Sequence, residues 1–514
     1  MGTARVASRA QLGLSAPRVE VEVHLGQGLP TFSIVGLPAT AVKESKDRVR
    51  AALQNSEFKF PSGRITVNLS PADLPKEGCR YDLPIALGIL LASAQLEIPA
   101  QLLSVSEFYG ELGLAGELKP VKGILLAAAH AAREGRNVLV PAANLHEARL
   151  AAPDRARGAD TLLRVCELVR AGSGESSQDH GINGETIIGG SSNSHLDIAD
   201  VRGQAAPKRA LIVAAAGGHS LLMVGPPGTG KSMLAQRLPG LLPALEGAEA
   251  LDVASIASVS VRGFNACDYG KRPFRAPHHT ASAGAIIGGG SHARPGEVSL
   301  AHRGVLFLDE LPEFNRSVLE SLREPLESGV VAISRAALQV EYPARFQLVA
   351  AMNPCPCGYL GEPSGNCRCA PPEIARYRAR ISGPLLDRID LRVAVPAVSS
   401  AELFGEGAAV NVLTTAQAAE RVRMAQGLQR ARAGKLNVEL TGNELQRFCG
   451  LDRPGRRLLA QARAKLALSA RGVHRVLRVA RTIADLDAGA NAASCELALS
   501  HLAEALQLRI ADRV

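Results

Sequence analysis

Tryptophan is absent from this chain and aromatic residues make up only 3% of it, which excludes stacked aromatic platforms as the main way of holding a single-stranded nucleic acid. No uninterrupted run of about 18 apolar residues occurs, so no membrane-spanning helix is expected. The start, Met1-Gly2-Thr3-Ala4-Arg5, lacks the apolar core of a secretory signal, and the expected address is cytoplasmic. Tandem repeats and sustained heptads are missing too, which sets aside solenoids and coiled coils. Acidic residues are in deficit, leaving a formal charge of +9. The excess is uneven: 22 Lys and Arg face 14 Asp and Glu between Pro371 and Val514. An anionic polymer partner held through its phosphates fits that balance.

With 46% apolar residues, the 514-residue chain has material for about three domains at roughly 150 residues each. Residues 1–170 read as a mixed α/β module, with strand-like alternation in Val19–Leu25 and Ile65–Leu69 and a buried helical pattern from Leu83 to Leu96. A Gly/Ser-rich stretch over 171–195 reads as a linker. Residues 196–396 then carry the chemistry, and 397–514, rich in Ala, Leu and Arg at helical spacing, read as a helical domain. Arg471, Arg475, Arg478 and Arg481 recur at three- and four-residue steps, predicting one basic helix face opposite Leu477, Ala480 and Ile483. That face is either a plain solvated surface or a polyanion contact.

The strongest motif is Gly225-Pro226-Pro227-Gly228-Thr229-Gly230-Lys231-Ser232, which follows the apolar run Leu221–Val224 and satisfies the phosphate-loop pattern at every fixed position. Its glycines let backbone N–H groups turn toward phosphates, Lys231 neutralises β/γ oxygens, and the Ser232 hydroxyl is placed to ligate Mg²⁺. Downstream, the apolar strand Val305–Leu308 ends in Asp309 and Glu310. One carboxylate suits Mg²⁺ and the other an attacking water. The two motifs together predict an ATP hydrolase.

Taken with further segments, the chain resembles the magnesium-chelatase-like AAA+ ATPases of the YifB/ComM type. The resemblance rests on Ile34–Pro38, Val67–Asp73, the phosphate loop, Phe274–His279, Pro295–Glu297, Met352–Gly358 and Gly383–Asp390, and covers nearly the whole length. It implies an α/β fold in which an AAA+ P-loop NTPase core with a helical lid is preceded by a Lon-protease-like (ribosomal S5 domain 2-like) α/β domain. It also implies a homo-hexamer working as an ATP-dependent DNA translocase or helicase in branch migration during integration of transforming DNA, alongside recombination proteins. By the same resemblance Asn353 is the sensor-1 residue, Arg388 the arginine finger acting on a neighbour's ATP, Arg475 the sensor-2 arginine, and Val201 and Gly203 lie on the adenine side. Two segments are expected at the pore of the ring and on DNA: Lys271–Gly290, with Arg275, and Val330–Tyr342, with Arg335. The paired His278 and His279 in the first are read as loop residues, metal ligands or packed histidines. The N-terminal module departs from Lon at its dyad, with Cys79 near the serine position and an alanine near Ala127 where the lysine belongs, so no proteolysis is expected.

Four of the nine cysteines fall within fifteen residues, as Cys355, Cys357, Cys367 and Cys369. They are either a four-thiolate Zn²⁺ site or reduced thiols; the C-x-C spacing is tighter than the usual knuckle. Against the helicase reading stands a chelatase-type motor that remodels a protein or metal-insertion partner.

Overall fold

The computed structural model describes residues 2–171, 196–290, 293–335, 338–361, 367–398, 413–488 and 496–509, with the side chains of 335–338 outside the description. These residues form two compact units. The first gathers the N-terminal residues through 171 with 247–269 and 334–342; the second gathers 196–246, 270–333 and the described residues from 343 onward. Nearly all of the expected linker at 171–195 lies outside the described residues.

In the first unit, β1 (Gly2–Arg9), β2 (Arg18–Gly26), β3 (Thr31–Val35) and β4 (Arg64–Ser70) lie in the order β1-β2-β4-β3, with β3 parallel to β4 and the other pairs antiparallel. Val19, Val21 and Val23 of β2 are buried while Glu20 and Glu22 are not, the alternation of a sheet with one covered face. The cover is α1 (Asp82–Ala92), almost wholly buried. A parallel sheet follows, β5 (Ser106–Phe108), β6 (Asn137–Pro141) and β7 (Ala156–Ala159), with α2 (Ile124–Arg133) packed nearby. The helix Gly247–Ser258 belongs to this unit although it follows the phosphate loop in sequence. Its Ser258 hydroxyl donates to Glu147 at 3.2 Å, and the same carboxylate accepts from the Leu125 N–H at the start of α2. Ala127 is a buried methyl on α2, and burial pushes the Cys79 thiol up to about 11 even with Arg48 near it. Neither position offers an activated nucleophile or an amine base.

The second unit is built on one five-stranded sheet. Strands β8 (Leu221–Val224), β9 (Phe274–Arg275), β10 (Val305–Leu308), β11 (Gln347–Met352) and β12 (Leu391–Ala394) lie in the order β9-β10-β11-β8-β12, all pairs parallel. The inner strands are apolar almost throughout and buried, as a parallel sheet covered on both faces requires. Helices α3 (Ala205–Gly217), α4 (Lys231–Leu241), α5 (Thr415–Ala433), α6 (Ala470–Ala488) and α7 (Leu499–Gln507) are among those that belong to the unit. The C-terminal helices share one hydrophobic core with the sheet: Val422, Val476, Ile483 and Leu502 cluster with Leu221, Val349 and Leu391. Gln426 and Gln429 of α5 donate to the Ala215 and Ala216 carbonyls, satisfying the open end of α3. Among the described residues no helix is long and apolar enough to cross a membrane.

Two sequence expectations are corrected here. Phe274–Arg275 forms an edge strand of the core sheet rather than a projecting loop, and Arg275 makes a bidentate pair with Glu297 at 2.6 and 2.7 Å. Gly288–Gly289, at the end of the segment, pairs antiparallel with Arg294–Pro295, where Arg294 is exposed. The predicted basic face of α6 is also no open stripe. Arg475 pairs with Asp390, Arg478 donates to the Leu440 carbonyl and Arg481 is buried against Asp485, so only Arg471 stays exposed. Each of these three guanidiniums donates to an internal carboxylate or carbonyl, Asp390 and Asp485 also accepting from Ser220 and from Arg432 and Asn437.

Candidate functional site

The phosphate loop bridges the C-terminal end of β8 and the start of α4. A Cβ on Gly225 would stand 2.1 Å from the Val395 carbonyl oxygen, so only glycine lets the loop pass the end of β12 this closely. Gly230 sits in the left-handed region at φ 87° and aims the first N–H groups of α4 into the loop, the arrangement that binds phosphate oxygens. Lys231 folds back across the loop, donating to the Gly225 and Pro226 carbonyls at 2.7 Å each and to Asn353 Oδ1 at 3.2 Å. Burial lowers its pKa, while Asp309 and Glu310 pull the other way. These are the interactions a triphosphate would replace.

Asp309 and Glu310 follow β10 directly. The Ser232 hydroxyl donates to Asp309 Oδ2 at 2.6 Å, so the two side chains expected to hold Mg²⁺ already meet. Asn353 follows β11, the neighbouring strand, which carries its amide to Lys231. Glu310 takes the left-handed backbone at φ 53°, and its Oε2 lies 3.1 Å from Nδ1 of His279. The His279 ring is 4.1 Å from that of His278 and meets Phe314 edge-on. The sequence reading left these histidines among loop, metal and packing roles; contact with the Glu310 carboxylate was not foreseen, and nothing in their spacing signals it. On the expected adenine side, Val201 is buried, Gly203 has φ 60°, and the adjoining Gln204 amide bridges the Thr229 and Pro396 carbonyls.

Arg388 and Arg475 stand elsewhere. Both gather at the N-terminal end of β12, where Leu391 pairs with Leu221 at the beginning of β8. The phosphate loop leaves the other end of β8, four strand residues or about 13 Å away at ~3.3 Å per residue. The Ser220 hydroxyl donates to the Arg388 carbonyl, and the Arg388 guanidinium rests on Glu327 and on the Pro384 carbonyl at 2.8 Å. Arg475 donates to Asp390 at 2.9 Å. Asp390 also accepts from the Ser220 backbone and lies 3.6 Å from His219. Burial favours its neutral form, but His219 and Arg475 outweigh this and hold the carboxyl well below its ordinary range. Arg392 and Arg509 stand in the same cluster, and burial together with the Arg509 charge brings Arg392 down to about 10.

Beyond Asn353 the chain enters the cysteine segment. Cys355, Cys357, Cys367 and Cys369 converge so that their sulfur atoms all lie within 4.8 Å of one another. Backbone N–H groups of Tyr359 and Arg368 point at the Cys357 sulfur and bring it down to about 6. Of the residues expected on DNA, Arg275 is internally paired and the Arg335 side chain lies outside the described residues.

Comparison with known proteins gives the family. Residues 197–403 match the family described as magnesium chelatase, subunit ChlI; 21–144 match subunit ChlI of Mg-chelatase; and 413–509 match the ChlI C-terminal family. The competence protein ComM of Haemophilus influenzae is 48% identical over 100% of this chain and 99% of its own length. The uncharacterized protein YifB of Escherichia coli K12 is 45% identical, covering 100% and 98%. The magnesium-chelatase 38 kDa subunit of Rhodobacter capsulatus is 29% identical over 30% of this chain and 48% of its own.

Proposed function

The chain belongs to the ComM/YifB-type family of magnesium-chelatase-like proteins, and from that premise we propose that it is a cytoplasmic, ATP-driven DNA translocase that works as a ring, a homo-hexamer, and promotes branch migration of incoming DNA. One observation carries the ring: the phosphate cradle and the two assigned arginines occupy opposite ends of one sheet, too far apart to act on one nucleotide within one chain. A neighbouring copy that sets its strand-start edge against this cradle would complete the site, with Arg388 leaving Glu327 for the γ-phosphate.

In this reading Lys231 neutralises the β/γ oxygens, Asn353 orients the γ-phosphate, and Glu310 positions the attacking water. ATP and Mg²⁺ are the cofactors at the cradle, Mg²⁺ held by Ser232 and Asp309 and supplying charge neutralisation there; Zn²⁺ at the four thiols is the third. The first unit is read as a Lon-like fold without a dyad, kept for assembly or DNA contact. Exposed Arg294, paired to the end of that segment through Gly289, replaces Arg275 as the candidate DNA contact.

The test is strand displacement and branch migration by purified protein on forked and four-way DNA with ATP and Mg²⁺. ATP- and ring-dependent movement that falls steeply with salt supports the proposal. ATP turnover without stimulation by, or movement of, any DNA would instead favour the second reading, a chelatase-type motor acting on a protein or metal-insertion partner, which the Rhodobacter likeness keeps in view.

A further inference from the structure

The four thiols do not form an isolated knuckle. Pro354 and Cys355 follow Asn353 directly, and Asn353 is the residue whose amide meets Lys231. Gly358, one residue past Cys357, lies against the phosphate loop: a Cβ there would stand 2.6 Å from Pro227 Cδ, and its φ of 90° favours glycine independently. Behind the segment, the Arg378 guanidinium donates to the Pro354 carbonyl at 3.2 and 3.3 Å. The stretch Pro354–Gly358, which carries Cys355 and Cys357, therefore runs from the expected γ-phosphate sensor to the loop that cradles the phosphates.

Its internal geometry suits a metal. Cys355 lies 3.4 Å from Cys357 and 3.7 Å from Cys367, and Cys357 lies 3.7 Å from Cys367. Disulfide sulfurs stand about 2.0 Å apart. A tetrahedron of thiolates around Zn²⁺ with bonds of ~2.3 Å has edges of ~3.8 Å, close to the separations found. Three of the sulfurs also face backbone N–H groups: Cys357 from Tyr359 and Arg368, Cys367 from Cys369, and Cys369 from Cys357. Such donors offset the negative charge that thiolates retain around a divalent ion.

We propose that Cys355, Cys357, Cys367 and Cys369 bind one Zn²⁺, and that this ion clamps Asn353 and Gly358 against Lys231 and Pro227, so that zinc occupancy sets the competence of the nucleotide site. The second half rests on the ATPase reading above. The first half does not. Loss of zinc releases the sensor from the phosphates while leaving the phosphate loop itself in place, so turnover suffers more than nucleotide affinity.

The experiment begins with metal analysis of full-length protein purified without chelator. About one Zn²⁺ per chain, and after exchange a Co²⁺ form with thiolate-to-metal charge-transfer bands, are expected. No stoichiometric zinc, or iron in its place, overturns the site. Zinc is then released from the intact wild-type protein with a mercurial and a chelator, and in parallel through the Cys367→Ser/Cys369→Ser variant, with Cys267→Ser as the exposed control distant in sequence. Release should lower ATP turnover at least about tenfold while ADP affinity changes less than about threefold. Amide exchange at Gly225–Lys231 should rise at the same time. Unchanged turnover and unchanged exchange after release overturn the clamp. Zinc-loaded protein that never hydrolyses ATP defeats the ATPase reading but leaves the metal count and the exchange arm to decide the clamp.

Discussion

At the strand-end edge of the five-stranded sheet, the functional groups hold one another lightly: Lys231 on loop carbonyls and Asn353, Ser232 on Asp309, His279 on Glu310. At the strand-start edge the charges are locked, with Asp390 buried among Ser220, His219 and Arg475, and with Arg392 and Arg509 crowded beside it. The first edge is polar and partly open, and its contacts are ones that phosphates would replace. The second is a buried, charge-dense cluster in which Asp390 answers Arg475 and His219, and Asp387 acts on Arg392 and Arg509. A site divided in this way would supply flexibility where chemistry occurs and, in the proposed ring, rigidity where a neighbour's nucleotide is sensed.

The sharpest way to break the comparison is at Arg388. Its replacement by alanine should cut ATP turnover by about 10³-fold or more, the scale of an arginine finger, while each chain still binds nucleotide. Mixed with an inert Lys231→Ala chain it should regain activity, because some interfaces then pair an intact cradle with an intact arginine. Absence of recovery in rings shown to be mixed would place Arg388 outside the role assigned to it.

The rigid edge predicts a stability effect next. Asp390→Asn leaves Arg475 and His219 without their buried counter-charge and should destabilise the second unit by about 3–5 kcal/mol. The pH dependence carries a definite sign. A carboxyl held below its unfolded value of about 3.9 contributes stability that is full above that pH and lost as pH falls toward the folded value. Acid unfolding curves of the second unit should therefore be flatter below pH ~4 in the variant than in the wild type. Parallel curves would mean that Asp390 does not carry the acid sensitivity.

At the open edge, Glu310→Gln should reduce turnover about 10²-fold with nucleotide binding and assembly retained, since only positioning of the water is lost. Near-normal turnover would move that role to another carboxylate.

How legible this was differs between the edges. The cradle was readable because its chemistry is local: eight consecutive residues, then a strand ending in Asp309 and Glu310. Asn353 and Arg388 needed family resemblance, since one amide or guanidinium after a strand has no periodicity of its own. Arg275 was misplaced because a two-residue strand is too short to alternate, and only its pairing with β10 reveals it. The α6 stripe misled because three- and four-residue spacing reports a shared face, not what covers it; Asp390, Asp485 and Leu440 come from positions far along the chain or on other turns. The assignment of 247–269 to the first unit was invisible for the same reason, as Ser258 and Glu147 are joined only by folding. The four cysteines were visible as a cluster, but the approach of their segment to Pro227 at Gly358 was not.

The smallest predicted effect lies in a contact that the sequence never suggested. His279 holds Glu310 at 3.1 Å, with the two side chains 31% and 54% exposed, so the pair contributes no more than about 1 kcal/mol. A carboxylate engaged by an imidazole is less free to orient water, and His279→Ala should therefore raise basal ATP turnover, by about two- to fivefold. A merely packed histidine would do the opposite, because its loss would loosen the ring contacts with His278 and Phe314 and lower activity. The double variant His279→Ala/Glu310→Gln separates the two cases: if His279 acts through Glu310, the second substitution erases the gain completely. A gain that survives in the double variant, or a fall in the single one, would show that the histidine acts on something other than that carboxylate.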